Sequence, residues 1–169
     1  MKDVIEQYDA RANSPGTWWW FGKNLFTAAD ILHAHWRGPQ LRTSVAVYGP
    51  MQMLRACAME CMLKALCLDA GEQFANAGQF DKTGRSHILV DLVTRTRLNP
   101  AADQVAVLEK LQRYVTAGRY PVELNWRNTY PPPRPTDDPV MAWSDADENV
   151  FERLRGRLQQ DDERMCALQ

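Results

Sequence analysis

Residues 54–71, LRACAMECMLKALCLDAG, constrain the fold of this chain more than any other stretch, because they form a helix apolar on nearly every side that still carries Glu60 and Lys64 one turn apart. With successive residues turned by about 100°, Leu54, Ala58, Cys61, Ala65 and Leu68 share one stripe, and Met59, Met62, Leu63 and Leu66 carry it round the cylinder. A helix apolar all round belongs inside a bundle. Arg55 and Asp69 supply the one strip expected to be wet. Glu60 and Lys64 point roughly the opposite way, flanked by Met53, Cys57 and Cys67, so partial desolvation is expected for both. A desolvated charge has to be paired or used. The pair is therefore either a polar tie between helices or part of a site.

The rest of the chain supplies partners for that helix. Residues 2–12 predict a short helix with Val4, Ile5 and Tyr8 apolar, broken by Asn13-Ser14-Pro15-Gly16. Trp18-Trp19-Trp20-Phe21 then runs into a helical pattern through Leu25, Phe26, Ala29, Ile31 and Leu32 to about Trp36, closed by Arg37-Gly38-Pro39. Four adjacent aromatics cannot all face one core, so one or more packs on a neighbouring element or a second subunit, or the block is a helix start wedged between two others. The central helix is expected from Tyr48 or Met51 to Leu68, with Gly71 as its C-terminal cap. Residues 73–84 read as a loop with, at most, a helical turn at Phe74. Ser86 is a candidate cap for a helix from His87 to about Arg97, ended by Asn99-Pro100. Residues 101–117 make the next helix, with Val105, Leu108, Leu111, Gln112 and Val115 in a stripe.

Beyond Gly118 the character changes. Tyr130-Pro131-Pro132-Pro133-Arg134-Pro135 predicts a stiff extended linker over residues 129–143. Ser144 and Asp147 form a candidate capping box for one charged helix running to about Cys166, with Val150, Phe151, Leu154 and Leu158 on its narrow apolar side. That helix is expected to dock on the bundle or on a partner chain. With no strand-like alternation and no repeat, the expected fold is all-α, an antiparallel bundle of four or five helices over residues 17–128, preceded by a helix or arm over residues 1–16 and followed by the linker and a C-terminal amphipathic helix.

Composition excludes several classes of function. The 169 residues are 45% hydrophobic, enough for a core, and the net charge of −1 argues against a global basic field for non-specific nucleic-acid binding. No apolar run is long enough for a membrane span and the N-terminus lacks the core of a secretory signal, so the expected address is the cytoplasm with no membrane partner. Cys57, Cys61, Cys67 and Cys166 show neither C-x-x-C nor zinc-ribbon spacing and read as small buried thiols. Cys57 and Cys61, one turn apart, leave a shared metal as the alternative. His33 and His35 lie about 200° apart on a helix and are not a metal pair. Met51, Met53, Met59 and Met62 read as core filler. No cofactor and no metal is expected.

Several separated pieces together resemble a HEPN domain, a small helical bundle found in many prokaryotic toxin, antiphage and nucleotidyltransferase-linked proteins. Residues 21–36, with Ala28-Ala29-Asp30-Ile31-Leu32, are similar to the family's first long helix. Residues 58–66 are similar to its second, where a Glu and a Lys recur at the separation of Glu60 and Lys64. Residues 86–92, SHILVDL, resemble the branch in which His-Asp-Leu opens the third helix, with Ile88 in place of the Asp, and Gly118-Arg119-Tyr120-Pro121 is similar to the Arg-Tyr-Pro segment that closes the fourth. The resemblance spans residues 18–126. Family RNases carry Arg-x(4–6)-His on a late helix brought to a dimer interface. Here the histidines are His33, His35 and His87, none preceded by Arg at that interval, while Arg113 and Arg119 stand where the motif belongs with no His after them.

The resemblance and the residues together lead to a first expectation: a non-catalytic HEPN-like module, a homodimer, binding RNA, a nucleotide or a partner protein in a defence or toxin–antitoxin type system. Its ligand-binding candidates are Glu60, Lys64, His87, Asp91, Arg119 and Tyr120. The alternative is a metal-independent endoribonuclease with an atypical site of His87, Arg85, Arg119 and Glu60, since such cleavage needs a base, an acid and cations on the phosphate. A helix start at His87 favours the neutral ring suited to a base, and Asp91 one turn on is placed to orient it. Against this stands a clasp, in which His87 only ties Asp91 and the Glu60–Lys64 region together. Arg119 and Tyr120 likewise either cover a helix end or touch ligand. A second alternative is a purely structural interaction protein whose contacts are Trp18, Trp19, Trp20, Phe21 and the C-terminal helix.

Overall fold

The structure, a computed structural model, describes residues 2–37, 41–82, 84–116 and 143–168. Helix α1 (Lys2–Ala12) ends at Asn13, and α2 (Pro15–Trp36) starts at once because the Ser14 hydroxyl accepts from the Thr17 N–H at 3.2 Å and Pro15 presets a helical φ. The central helix, α3 (Leu41–Asp69), begins well before the expected Tyr48 or Met51. Pro50 lies inside it. The residue before a proline is normally pushed out of the helical region, but Gly49 has no Cβ for the ring to meet, and the helix runs through.

Helices α2 and α3 lie antiparallel along most of their length, with Gly22 against Ala58 and Met62, and the Trp36 ring 5.5 Å from Tyr48 at the other end. Gly22 permits that approach, since a Cβ there would stand 2.9 Å from Met62 Cγ and 3.1 Å from the Ala58 carbonyl. Trp19, Phe26 and Ala29 face α3 from α2 and are buried. Helices α4 (Leu89–Thr94) and α5 (Ala102–Thr116) close the opposite side of α3 with Leu89, Leu92, Leu108 and Leu111. The all-α bundle expectation therefore holds, with seven helices among the described residues.

After residue 142 the expected capping box is present, Ser144 and Asp147 bonding each other's backbone N–H at 3.1 and 2.8 Å, and α6 (Asp145–Gln159) starts there. It docks on the bundle through Val150, Phe151, Leu154 and Leu158. The single helix expected to Cys166 is instead two, because the chain turns at Gln160 and Asp161 before α7 (Asp162–Cys166). The turn brings Asp162 onto α2, where it accepts from the buried Trp19 indole and from Lys23, both at 2.8 Å. Most of the linker, residues 129–142, lies outside the described residues. Among them no helix is long and apolar enough to cross a membrane.

Residues 73–84 are not a plain loop. They hold a hairpin of β1 (Ala75–Asn76) and β2 (Gln79–Phe80), Ala75 opposite Phe80, turned through Ala77 and Gly78, both with positive φ. Two such residues make the tight turn whose twist matches paired strands. Asn13 holds the hairpin, accepting from the N–H of Phe74 and Ala75 and donating to the Ala75 carbonyl.

Candidate functional site

The buried charges on α3 form two clusters, about two and a half helical turns apart at their extremes. In the first, Glu60 and Lys64 lie on the face that packs toward the hairpin and are both almost fully buried, as their flanking apolar residues imply. Lys64 Nζ donates to Glu60 Oε1 and to the Gly84 carbonyl, each at 2.8 Å, and lies 5.1 Å from the centre of the Trp18 ring. Gly84 can be there because the segment after β2 runs tight against Phe74. A Cβ on it would stand 2.8 Å from the Phe74 carbonyl.

His87 completes the cluster. Its Nδ1 sits 3.0 and 3.1 Å from the two Glu60 oxygens, while its side chain is 48% exposed. A carboxylate only accepts, so Nδ1 donates, and Nε2 makes no hydrogen bond among the described residues. The ring lines an open cleft of about 550 Å³ whose other walls include Tyr8, Trp18, Phe80, Arg85 and Lys64. Arg85 is exposed, its Nε donating to the Phe80 carbonyl at 2.9 Å.

Of the expected site residues, Glu60, Lys64, His87 and Arg85 thus come together. Asp91 does not orient the imidazole: it is exposed on α4, and Glu60 holds the ring instead. The reason is a shorter helix. It starts at Leu89, with Ile88 as its N-cap residue, so His87 precedes the helix and is not in its first turn. Ser86 does not cap it either, its hydroxyl accepting from the Ile88 N–H at 3.3 Å. Arg119 and Tyr120 lie outside the described residues. Sequence reasoning missed Tyr8, Trp18, Phe80 and Gly84 at this cleft; Trp18 stood out only as part of an aromatic block.

The second cluster overturns one expectation outright. Arg55, taken for the wet strip, is 1% exposed and meets Glu148 of α6 through two bonds, at 2.8 and 2.7 Å. The Trp143 indole also donates to Glu148, at 2.7 Å, and the Phe151 ring lies 4.7 Å below the guanidinium. Burial pushes the Glu148 carboxyl up, but the hydrogen bonds and charge of Arg55 outweigh it and hold the pKa below the ordinary value. His33 Nε2 lies 3.5 Å from the same carboxylate, and desolvation, with Arg55 close by, depresses its pKa. Gln52, one turn before Arg55, buries an amide with no hydrogen-bond partner among the described residues.

The expectation of four buried thiols holds for Cys61 and Cys67, whereas Cys57 is half-buried and Cys166, at the end of α7, is exposed. Burial pushes Cys61 up to about 12 and Cys67 up to about 11, and no metal-holding group of His, Cys, Asp and Glu occurs among the described residues.

Comparison of the chain with protein-family models, with curated proteins and with solved structures finds no match.

Proposed function

We propose that this chain is a HEPN-like module that binds the phosphate of an RNA or nucleotide at the His87 cleft and does not cleave it. One observation carries the reading: a half-exposed imidazole anchored at Nδ1 by a buried carboxylate, with its other nitrogen unengaged beside Arg85. Such a ring is pre-oriented to meet an anion as a donor when protonated. Phosphodiester cleavage asks for more. It requires an acid as well as a base, and the cleft offers one imidazole, while Lys64 is held by Glu60 and Gly84. The setting we propose is a homodimer acting in the cytoplasm within a defence or toxin–antitoxin type system.

The same Glu60–His87 pair also favours a second reading, metal-independent endoribonuclease, because a carboxylate behind an imidazole is how a general base is oriented. The missing acid would then come from a second copy across a two-fold axis.

The test is incubation of purified protein with a mixed RNA pool in EDTA, beside His87→Ala, with binding, cleavage and oligomeric state read on the same samples. Expected are retention of RNA by the wild type, at least tenfold weaker retention by the variant, and no cleavage by either. Cleavage that vanishes in His87→Ala would replace the binding module with the nuclease. Retention equal in both would remove His87 from the site.

A further inference from the structure

The His87 cleft is one side of a larger feature. Tyr8, Trp18 and Phe80 line it and also line a second, apolar groove of about 310 Å³. These rings fix one another edge-on, the Tyr8 and Phe80 centroids 6.0 Å apart and those of Trp18 and Phe80 6.2 Å apart, the geometry aromatic pairs prefer. The groove's far side is made by Trp20 and Phe21, 55% and 52% exposed. The core does not account for them. Trp19 is the member of the block that fills it.

The carboxylates near the shared wall are each engaged: Asp9 accepts from the Gly78 N–H, the exposed Asp81 from the Gly84 N–H, and the buried Glu60 from Lys64 and His87. Arg11 lines the groove and Arg85 the cleft, both exposed. Flat aromatic faces beside outward cations match a base joined to a phosphate, because every base has a face to stack and its backbone carries the negative charge. An apolar peptide would use the rings and leave the cations unmatched. Both volumes fall in the range of small-ligand sites, about 300–1,000 Å³.

We infer that the Trp20–Phe21 groove stacks the base of a nucleotide unit whose phosphate lies at His87 and Arg85. This rests on the phosphate-binding reading above and adds to it a base-binding half.

The experiment is fluorescence anisotropy on the full chain with labelled hexaadenylate and an abasic hexamer of equal charge, and with AMP as competitor. Trp20→Ala and Phe21→Ala are each expected to weaken hexaadenylate about tenfold and to leave the weaker abasic binding unchanged. His87→Ala is expected to weaken both hexamers. Trp20→Phe, which keeps a smaller ring, should recover part of the loss. Displacement of hexaadenylate by AMP identifies a mononucleotide as a sufficient occupant, and failure to displace it identifies a strand; either agrees with stacking. Full hexaadenylate affinity in Trp20→Ala with loss in His87→Ala would overturn the stacking groove and keep the phosphate reading. The reverse pattern would overturn the phosphate reading and keep the groove. Abasic binding as tight as hexaadenylate would overturn stacking. So would a Trp20→Ala change that splits a dimer, seen by sedimentation, without altering hexaadenylate affinity, since the groove would then belong to a second copy. Wild-type protein that binds none of the three probes overturns both.

Discussion

Helix α3 carries two buried ion pairs, and they end differently. Arg55 meets Glu148 inside the bundle, with Trp143 satisfying the same carboxylate and Phe151 under the guanidinium. Glu60 meets Lys64 in a similarly dry place, yet its second partner is an imidazole that reaches the surface. In the first, both bonds of Arg55 run from α3 to Glu148 on α6, so the pair fastens two helices. In the second, the buried carboxylate orients a group that solvent and ligand can reach. Burial of a charge alone thus does not mark a site. What separates the two is whether the chain of hydrogen bonds stops in the core or at water.

The largest test of this contrast is removal of one closed partner. Glu148→Ala strands the Arg55 guanidinium and should lower the unfolding free energy by about 3–5 kcal/mol, read from urea melts. Joining it to Arg55→Met should restore most of that loss. A cost below about 1 kcal/mol for Glu148→Ala would make the closed pair no more structural than the open one.

Two glycines sharpen the comparison at the next level. Gly22→Ala forces a Cβ against Met62 and the Ala58 carbonyl, and Gly84→Ala forces one against Phe80 and Phe74. Each should cost about 1–3 kcal/mol by overpacking. Only Gly84→Ala should also weaken binding at the His87 cleft, because the Gly84 carbonyl holds Lys64. Gln52→Leu acts in the other direction. It removes a buried amide that has no partner among the described residues and should raise stability by about 1 kcal/mol.

Two groups of the closed cluster give stability a pH dependence. Asp147, where burial pushes up but Lys110 and Ser144 hold the carboxyl below the usual carboxylate range, and Asp162, held low by Lys23 and Trp19, add to the loss in acid. His33 has a folded pKa below its ordinary 6.5, so the unfolded chain binds the proton more readily, and stability should fall as pH drops below about 6.5. Glu148, depressed by Arg55 against the effect of burial, contributes stability above its ordinary 4.5 that is lost as pH falls further. His33→Gln should flatten the first slope in urea midpoints taken from about pH 3 to 8 and leave the second. The smallest stability effect is expected at the open end. His87→Ala should change the unfolding free energy by less than about 1 kcal/mol, because Glu60 keeps Lys64, while it has the largest effect on ligand retention.

The helices were legible where local chemistry decides them. Ser14-Pro15, Gly71 and the Ser144–Asp147 box mark helix ends by bonds between near neighbours, and the apolar ring of residues 54–68 marks a core helix by period alone. The start of α3 was not, since Gly49-Pro50 reads as a helix boundary, yet Pro50 lies inside the helix. The hairpin was hidden by strands of two residues each, too short to show alternation. The break between α6 and α7 depends on Trp19 and Lys23, more than a hundred residues away in sequence.

The candidate site divides in the same way. That Glu60 and Lys64 are buried follows from the apolar residues one turn above and below them on α3, and the sequence by itself determined it, together with the all-α class. Which partners those charges take is a matter of distance in space. Arg55 is dry because Glu148, 93 residues on, arrives to meet it, and His87 is held by Glu60 and not by Asp91 because the loop before α4 crosses α3 at that height. The juxtaposition of Tyr8, Trp18 and Phe80 likewise exists only once Asn13 hangs the hairpin on the α1–α2 turn. Helical period is a short-range property and is written in adjacent residues, whereas pairing between segments depends on how whole faces pack, and only the tertiary structure decided it.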